Sequence, residues 1–417
     1  MNILLRSVTI VDAGNKALHQ KKRDIYIKNG ILEKIAEKIE VPSGTKTISI
    51  PNLYVSNGWF DSSVSFGEPG FEERETIKNG LATAAKSGFT DIVLNPTSLP
   101  LPDSSSDISF LINRSQQKAT NLHPIGCLSV RSEGNDLAEL FDMKNAGAVG
   151  HYDFKRPITN SNLLKIALQY VQGFEGLVLS FPLDHKIAGK GMVNEGETST
   201  RLGLKGIPSL AEELQISRDL YILEYTGGKL HIPTISSANS VKLIAAAKKK
   251  GLDVSCSVAI HNLMFTDSEL EEFDTHFKTM PPLRTKGDIK QLVKGVLDGT
   301  IDMVTSDHGP MDVEQKRVEF DNAAYGTTGL ESAFGSLNQL LGTEDAVALL
   351  CKGRERFGLK TPRLKVGEEA CLTLFDPEPE YVFESGHIFS TSKNSMFLGR
   401  SLKGKVYGII NNNELIQ

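Results

Sequence analysis

Ser63 and Ser65 stand two residues apart in a segment that begins near Trp59 and has the character of a β-strand. Residues two apart on a strand share a face, so both hydroxyls are expected to point into one space. A catalytic metal site needs about three or four protein ligands and an open position for water. Because serine is a poor zinc ligand at neutral pH, the pair is expected to line a polar pocket and cannot hold a metal alone.

Ser306, Asp307 and His308 are consecutive, which invites comparison with a serine–histidine–aspartate triad. Consecutive strand residues alternate between faces, so Asp307 should point away from both neighbours. A triad requires a chain of hydrogen bonds in space and not adjacency in sequence. The sequence therefore disfavours a triad. Isolated histidines elsewhere, such as His261, are interpreted as structural residues.

The composition is that of a soluble globular protein: 417 residues, 40% hydrophobic, 23% charged, with a net charge of −5. The largest basic run, Lys248–Lys250, closes a predicted helix, where lysines complement the helix dipole, so nucleic-acid binding is disfavoured. Four scattered cysteines indicate reduced thiols. With no signal-peptide pattern and no apolar run of about 20 residues, a cytoplasmic location is expected.

The pattern of strands and helices divides the chain into two kinds of structure. Residues 1–55 and 360–417 contain short strand-like segments and turns, which predicts a small β-sandwich composed of both termini. Residues 56–359 alternate strand and helix, the pattern of a parallel α/β domain. Eight such units predict a (β/α)8 TIM-type barrel, whose catalytic groups would lie at the carboxyl ends of the strands. The strands are predicted to begin near Trp59, Thr90, Leu122, Ala148, Gly176, Lys229, Asp253 and Asp302.

The stretch from Gly58 to Gly70 resembles the Gly-x-x-Asp-x-His-x-His-x-Arg-x-Pro-Gly signature of dihydroorotases and related cyclic amidohydrolases. The glycine, the aspartate and the Pro-Gly turn are present, whereas both histidines are replaced, by Ser63 and Ser65. The resemblance extends over nearly the whole chain. It implies an amidohydrolase-type barrel, a zinc cofactor as the family norm, and pyrimidine biosynthesis as the setting.

The resemblance also assigns the remaining metal-ligand positions. The third and fourth histidines are replaced by Phe181 and Thr234, and the bridging-carboxylate segment keeps Asp153 while Phe154 replaces its neighbour. Which of those two positions carries the ligand is left open. Asp307 matches the family's metal-bound aspartate and proton shuttle, here a vestigial base. The substitutions predict that the metal site is absent and that the protein takes no cofactor.

Three positions that contact substrate in the family are also replaced. The arginine is Gly67, and the two asparagines are Thr97 and Met280. These losses predict a catalytically inactive dihydroorotase-like protein that acts as a structural or regulatory partner. The resemblance suggests aspartate transcarbamoylase as that partner, together with a homo-oligomeric assembly. Two alternatives remain: an active dihydroorotase or related cyclic amide hydrolase with an atypical site, and a small-molecule sensor whose polar pocket includes Ser63, Ser65 and Thr234.

Overall fold

The computed structural model describes residues 1–417 and contains both α-helices and β-strands, so the α/β class predicted from sequence is confirmed. The strands are β1 (Asn2–Val11), β2 (Lys22–Lys28), β3 (Ile31–Ala36), β4 (Lys46–Ile48), β5 (Tyr54–Asn57), β6 (Trp59–Val64), β7 (Phe89–Leu94), β8 (Asn121–Pro124), β9 (Leu177–Leu179), β10 (Val193–Asn194), β11 (Gly206–Ile207), β12 (Lys229–Ile232), β13 (Val254–Ala259), β14 (Met303–Thr305), β15 (Leu372–Val382), β16 (Ser401–Asn411) and β17 (Glu414–Ile416). The helices are α1 (Ile77–Lys86), α2 (Ser105–Ser115), α3 (Leu140–Asn145), α4 (Ser161–Val171), α5 (His185–Ala188), α6 (Glu197–Leu202), α7 (Ser209–Thr226), α8 (Ala238–Lys249), α9 (Ile260–Met264), α10 (Lys286–Leu297), α11 (Val313–Lys316), α12 (Ala333–Leu341) and α13 (Thr343–Leu350).

Strands from both ends of the chain form one sheet. Its order is β17-β16-β15-β5-β1-β2-β3, with β4 paired to β1, and β15 runs antiparallel to β5. Alternate residues of β1, such as Ile3 and Leu5, share a small apolar core with Leu372 and Leu374 of β15. Burial of these apolar side chains explains why the two termini associate. The exact boundaries at residues 55 and 360 stay a prediction.

Parallel pairing connects the middle of the chain into a ring. Strands β6-β7-β8 form one parallel sheet and β9-β12-β13-β14 another. His151 makes parallel bridges to Gly126 and Val178, and Val64 makes one to His308, which joins the two sheets at both edges. The eight parallel segments therefore begin close to the eight predicted positions. Helices follow them in sequence and cover the outside, as in other parallel α/β folds.

Sequence signals determine where several covering helices begin and end. The Thr285 hydroxyl accepts a hydrogen bond from the Asp288 backbone N–H, and the Asp288 carboxylate accepts one from the Thr285 N–H, which together start α10. Lys248 and Lys249 occupy the last turn of α8, where the helix dipole favours positive charge. No helix has both the length and the apolar character needed to cross a membrane.

Candidate active site at the carboxyl ends of the parallel strands

Asp307 lies just beyond the end of β14, and its carboxylate is the centre of a buried polar cluster. Its Oδ2 accepts a hydrogen bond from Lys155 Nζ at 2.8 Å, and its Oδ1 accepts one from Ser63 Oγ at 3.2 Å. Only 3% of the Asp307 side chain and 19% of the Lys155 side chain are exposed. A lysine ammonium therefore provides the positive charge beside this buried carboxylate.

The two serines of β6 and its extension face the same side, as their spacing predicts. The side-chain amide of Asn95 donates to Ser63 Oγ and to Ser65 Oγ, both at 3.1 Å. Asn95 follows β7, so this amide connects the ends of two neighbouring strands. The hydroxyls are thus engaged in a hydrogen-bond network that also includes Asp307, and both serines are buried.

Asp61 connects the first strand of the ring to the last. Its carboxylate accepts hydrogen bonds from the Thr305 hydroxyl and from the Ser306 backbone N–H, the latter at 3.0 Å. Burial raises the pKa of Asp61 above its ordinary value, and the hydrogen bonds from Ser306 and Thr305 oppose that shift. This aspartate therefore holds the ring closed and does not face the space around Asp307.

Asp153 lies in a separate network. Its Oδ1 accepts hydrogen bonds from the backbone N–H groups of Leu128 and Ser129, both at 3.0 Å, and its Oδ2 accepts one from the Ser129 hydroxyl. Burial raises the pKa of Asp153, against the effect of these hydrogen bonds. Asp153 and Asp307 are not joined by a shared hydrogen-bond partner.

One cluster of apolar and aromatic side chains includes two of the predicted site positions. Tyr152 and Phe181 are 2% and 1% exposed, and Phe154, Leu183 and Met280 pack against the same cluster. The predicted ligand position Phe181 and the predicted substrate position Met280 therefore belong to this apolar cluster. We call its five side chains named here, Tyr152, Phe154, Phe181, Leu183 and Met280, the plug.

Two further positions predicted from the family pattern are occupied by structural contacts. At Gly67, a Cβ atom would lie 1.7 Å from the backbone oxygen of Phe71, so no larger residue fits this loop. The Thr97 hydroxyl donates to the backbone oxygen of Phe66 at 2.9 Å. Neither position presents a free polar group in the way that an arginine or asparagine would.

Two histidines of the barrel, His231 and His261, are buried. His231 contacts the hydroxyls of Ser255 and Ser257, and the Thr234 backbone N–H donates to the same Ser257 hydroxyl at 3.1 Å. His261 has no hydrogen-bond partner on either ring nitrogen, and burial lowers its pKa to about 4. These imidazoles are therefore neutral at pH 7.

The triad geometry is not present. His308 Nδ1 accepts from the backbone N–H groups of Gly329 and Leu330, at 3.2 and 3.4 Å. Ser306 Oγ accepts from the His308 backbone N–H and makes no contact with the imidazole. The sequence argument against a triad is therefore consistent with the structure.

Three non-glycine residues around the cluster have left-handed backbone conformations. The φ angles are 48° at Asp307, 49° at Thr234 and 52° at Lys155. Strained conformations of this kind concentrate at ligand and catalytic sites, where the surrounding structure must enforce them. Eleven other non-glycine residues of the chain share this conformation, so it does not by itself identify a site.

Sequence reasoning missed Lys155 and Asn95. Lys155 lies two residues after Asp153, and Asn95 lies two residues before Thr97, so both are inside segments already singled out. Asn95 is a polar residue directly after the buried strand β7, whereas Lys155 follows the parallel bridge at His151 by four residues. Comparison of individual motif positions drew attention to replaced residues and away from these two.

Comparisons with known proteins agree with the motifs. A family described as "Dihydro-orotase-like" matches residues 54–240. Dihydroorotases of Geobacter sp. (strain M21) and Citrifermentans bemidjiense are 36% and 35% identical, and each alignment covers 98% of this chain and 98% of the relative. L-Hydantoinase (dihydropyrimidinase) from Arthrobacter aurescens aligns with a TM-score of 0.85 at 21% identity, over 99% of this chain and 95% of its own. D-Hydantoinase (dihydropyrimidinase) from Thermus sp. aligns with a TM-score of 0.82 at 18% identity, and the alignment covers 99% of this chain and 94% of the Thermus chain.

These comparisons contradict the prediction that the protein takes no metal cofactor. The relatives are dihydroorotases and the structural neighbours are hydantoinases, which are amidohydrolases of the metal-dependent type. The prediction went too far because it inferred the cofactor use of the whole protein from the residue types at the compared motif positions. In the structure, His, Cys, Asp and Glu side chains do not gather in a group of three or more that fits an ion.

Proposed function

The chain belongs to the dihydroorotase family, and we propose that within this family it acts as a structural or regulatory subunit and not as the hydrolase. The observation that supports this proposal is the burial of the predicted site residues. Asp307, Ser63 and Phe181 are 5%, 5% and 1% exposed, and Phe181 packs within the apolar cluster that contains the plug. Substrate sites are ordinarily open clefts of about 300–1,000 Å³.

The engagement of Asp307 supports the same proposal. A general base must lie within hydrogen-bond reach of the proton that it removes. Both carboxylate oxygens of Asp307 already accept hydrogen bonds, from Lys155 and Ser63. A substrate would have to displace Lys155 or Ser63 before Asp307 could accept a proton from it.

The partner proposed for this subunit is aspartate transcarbamoylase, on the basis of the family resemblance. We expect the purified chain to form a complex with the transcarbamoylase of its own organism and not with an unrelated protein of similar size and charge. Co-elution and sedimentation velocity at matched concentrations measure this. Failure of the two purified proteins to associate at micromolar concentration would contradict the partner proposal.

The second candidate is hydrolysis of a cyclic amide of the dihydroorotate type, and the comparisons favour it more directly than the first. Relatives named dihydroorotase cover 98% of this chain at 36% and 35% identity. In this candidate Asp307 accepts a proton from the attacking water, and the ammonium of Lys155 stabilises negative charge on the carbonyl oxygen. A bound metal would supply Lewis-acid assistance, and the assay must therefore include one.

The test is dihydroorotate hydrolysis and its reverse, measured with purified protein in Zn²⁺, Co²⁺ and Mn²⁺ buffers with metal content determined in parallel. Under the first candidate, turnover stays at the buffer rate in every metal. Turnover that disappears in Asp307→Asn would overturn it and establish the second candidate. Circular dichroism of Asp307→Asn separates a lost base from a lost fold.

A further inference from the structure

A second cavity lies between two covering helices and the sheet formed by the chain termini. It is enclosed by the carboxyl end of α1, the first turn of α12, strands β15 and β16, and the segment that connects these two strands. Its volume is about 300 Å³, which is within the range of small-molecule sites. None of the residues in the hydrogen-bond network of Asp307 lines it. We call it the α1–β16 cavity.

The floor of the α1–β16 cavity is buried and carries one polar side chain without a partner. Ser87, Gly335 and Gly404 line it and are buried. A Cβ atom at Gly404 would lie 2.6 Å from the ring of Phe334, so no side chain can occupy the floor from that position. Ser87 is 4% exposed, and its hydroxyl makes no hydrogen bond within the chain. Buried hydroxyls in folded proteins are ordinarily hydrogen-bonded, and a molecule bound in the cavity would explain this exception.

Aromatic rings form the rim of the cavity. Tyr381, His387 and Phe389 line it, and the ring centroids of Tyr381 and His387 are 5.0 Å apart. The His387 ring also stacks on Phe383, with centroids 5.8 Å apart. Phe389 is 44% exposed. Exposed aromatic faces beside a cavity favour a flat ligand that can stack on them.

Two lysines bring positive charge to the same rim. The ammonium groups of Lys86 and Lys405 lie over aromatic rings, at 4.9 Å from the centroid of Phe389 and 5.5 Å from that of Tyr407. Both lysines line the cavity and are exposed, and neither forms an ion pair within the chain. Ammonium groups without a carboxylate partner attract a phosphate or carboxylate group on a ligand.

The carboxylate of Glu331 supplies an acceptor in the cavity wall. Its Oε1 accepts hydrogen bonds from the backbone N–H groups of Phe389 and Ser390, at 3.1 and 2.9 Å, and from the Ser390 hydroxyl at 2.7 Å. These three bonds fix the orientation of the carboxylate. Its Oε2 makes no hydrogen bond within the chain and is therefore available to an N–H or O–H group of a ligand.

We propose that the α1–β16 cavity binds a small aromatic molecule that carries one anionic group and one N–H or O–H donor. The ring of this ligand lies against the aromatic rim, its anion lies beside Lys86 and Lys405, and its donor faces Glu331. Nucleoside monophosphates and aminobenzoates share this chemistry. The site is separate from Asp307, so the proposal goes beyond the proposed function and holds whether or not the chain is a hydrolase.

The first experiment is isothermal titration calorimetry of the full chain with AMP, UMP and 2-aminobenzoate. We expect a dissociation constant below about 1 mM for at least one of these aromatic anions. Adenosine, uridine and aniline lack the anion, and ribose 5-phosphate lacks the ring, so each should bind at least about 10-fold more weakly than its parent compound. Binding of AMP or UMP without 2-aminobenzoate assigns a nucleotide, and the reverse assigns an aromatic carboxylate.

The second experiment locates the bound molecule with exposed variants that should not disturb the fold. The double variant Lys86→Gln with Lys405→Gln should weaken binding at least about 10-fold, and added salt should weaken binding to the unaltered protein. The control for charge is Lys290→Gln, an exposed lysine on α10 outside the cavity. Phe389→Ala should also weaken binding, whereas Phe110→Ala, which removes a ring that is 46% exposed on α2, should not.

Three outcomes would overturn the proposal: no binding of any of the three aromatic anions at about 10 mM, binding of ribose 5-phosphate as tight as that of the nucleotides, or binding that the double lysine variant leaves unchanged. Circular dichroism of each variant separates a lost site from a lost fold. The hydrolysis assay does not depend on these titrations, so a failure of the ligand proposal and a failure of the proposed function are distinguishable.

Discussion

Substitution of Lys155 by methionine should destabilise the protein, because it leaves Asp307 as an unpaired buried carboxylate. Methionine keeps most of the length and volume of the side chain beside Phe154, whose ring lies 5.2 Å from the ammonium. The substitution therefore removes charge and little packing. The pair is buried enough for this charge to matter, with 19% of the lysine side chain and 3% of the aspartate side chain exposed.

The magnitude follows from the geometry. At the observed 2.8 Å, two unit charges attract by about 6 kcal/mol with an effective dielectric constant near 20. Desolvation of both groups offsets part of this attraction, and removal of one partner of a buried pair typically costs about 3–5 kcal/mol. Because Lys155 is partly exposed and Ser63 still donates to Asp307, we expect a loss of about 2–4 kcal/mol in the free energy of unfolding.

Urea unfolding followed by fluorescence and circular dichroism measures the effect. The double variant Lys155→Met with Asp307→Asn removes both charges and should recover most of the loss. The control Lys360→Met removes one partner of the exposed Lys360–Glu368 pair and should change the stability far less. Unaltered stability of Lys155→Met, or a double variant weaker than the single one, would refute the electrostatic reasoning.

Three further predictions concern backbone space and titration. Gly67→Ala should lower the free energy of unfolding by at least 3 kcal/mol, or prevent folding, because its Cβ would lie 1.7 Å from a backbone oxygen; thermal unfolding measures this. Burial lowers the pKa of His261 to about 4. The unfolded-state pKa is near 6.5, so between pH 6.5 and pH 4 the unfolded chain binds more protons and the free energy of unfolding falls as the pH drops. His261→Gln should reduce the loss over this range by up to about 3 kcal/mol. Burial raises the pKa of Asp91, but the hydrogen bond from His123 and the charge of Arg354 outweigh it and hold this pKa well below its ordinary range. The stabilising effect of the ionised Asp91 is therefore complete above about pH 4 and is lost only as the pH falls towards the lowered pKa. Asp91→Asn should be less stable at pH 7, and below pH 4 its unfolding midpoint should depend less on pH than that of the unaltered protein.

Much of the fold is determined by local sequence pattern. Apolar runs that alternate with amphipathic segments place the eight parallel segments close to their observed starts, from Trp59 to Met303. The association of the two termini is also visible in the sequence, since both ends consist of short strands separated by turns. These features depend on periodicity over a few residues, which the sequence displays directly.

The metal prediction shows where position-by-position reasoning fails. The replacement of four histidines describes only those four positions. Cofactor use is a property of the whole site and of the family. Full-length relatives at 36% and 35% identity belong to a metal-dependent type of enzyme and overturn the inference. Motif comparison uses residue types without their surroundings. Residue types are enough to identify the family, but they do not determine which cofactor the whole site uses.

The amino-acid sequence alone determined the family, the α/β class and the shared face of Ser63 and Ser65, because each depends on residue identity or on local periodicity. Only the tertiary structure decided that Lys155 reaches Asp307, a residue 152 positions away. It also decided that Asp153 is held by Ser129 and does not share the Asp307 cluster. The physical reason is that side-chain partners across a closed ring are chosen by strand order and burial, which no local pattern encodes.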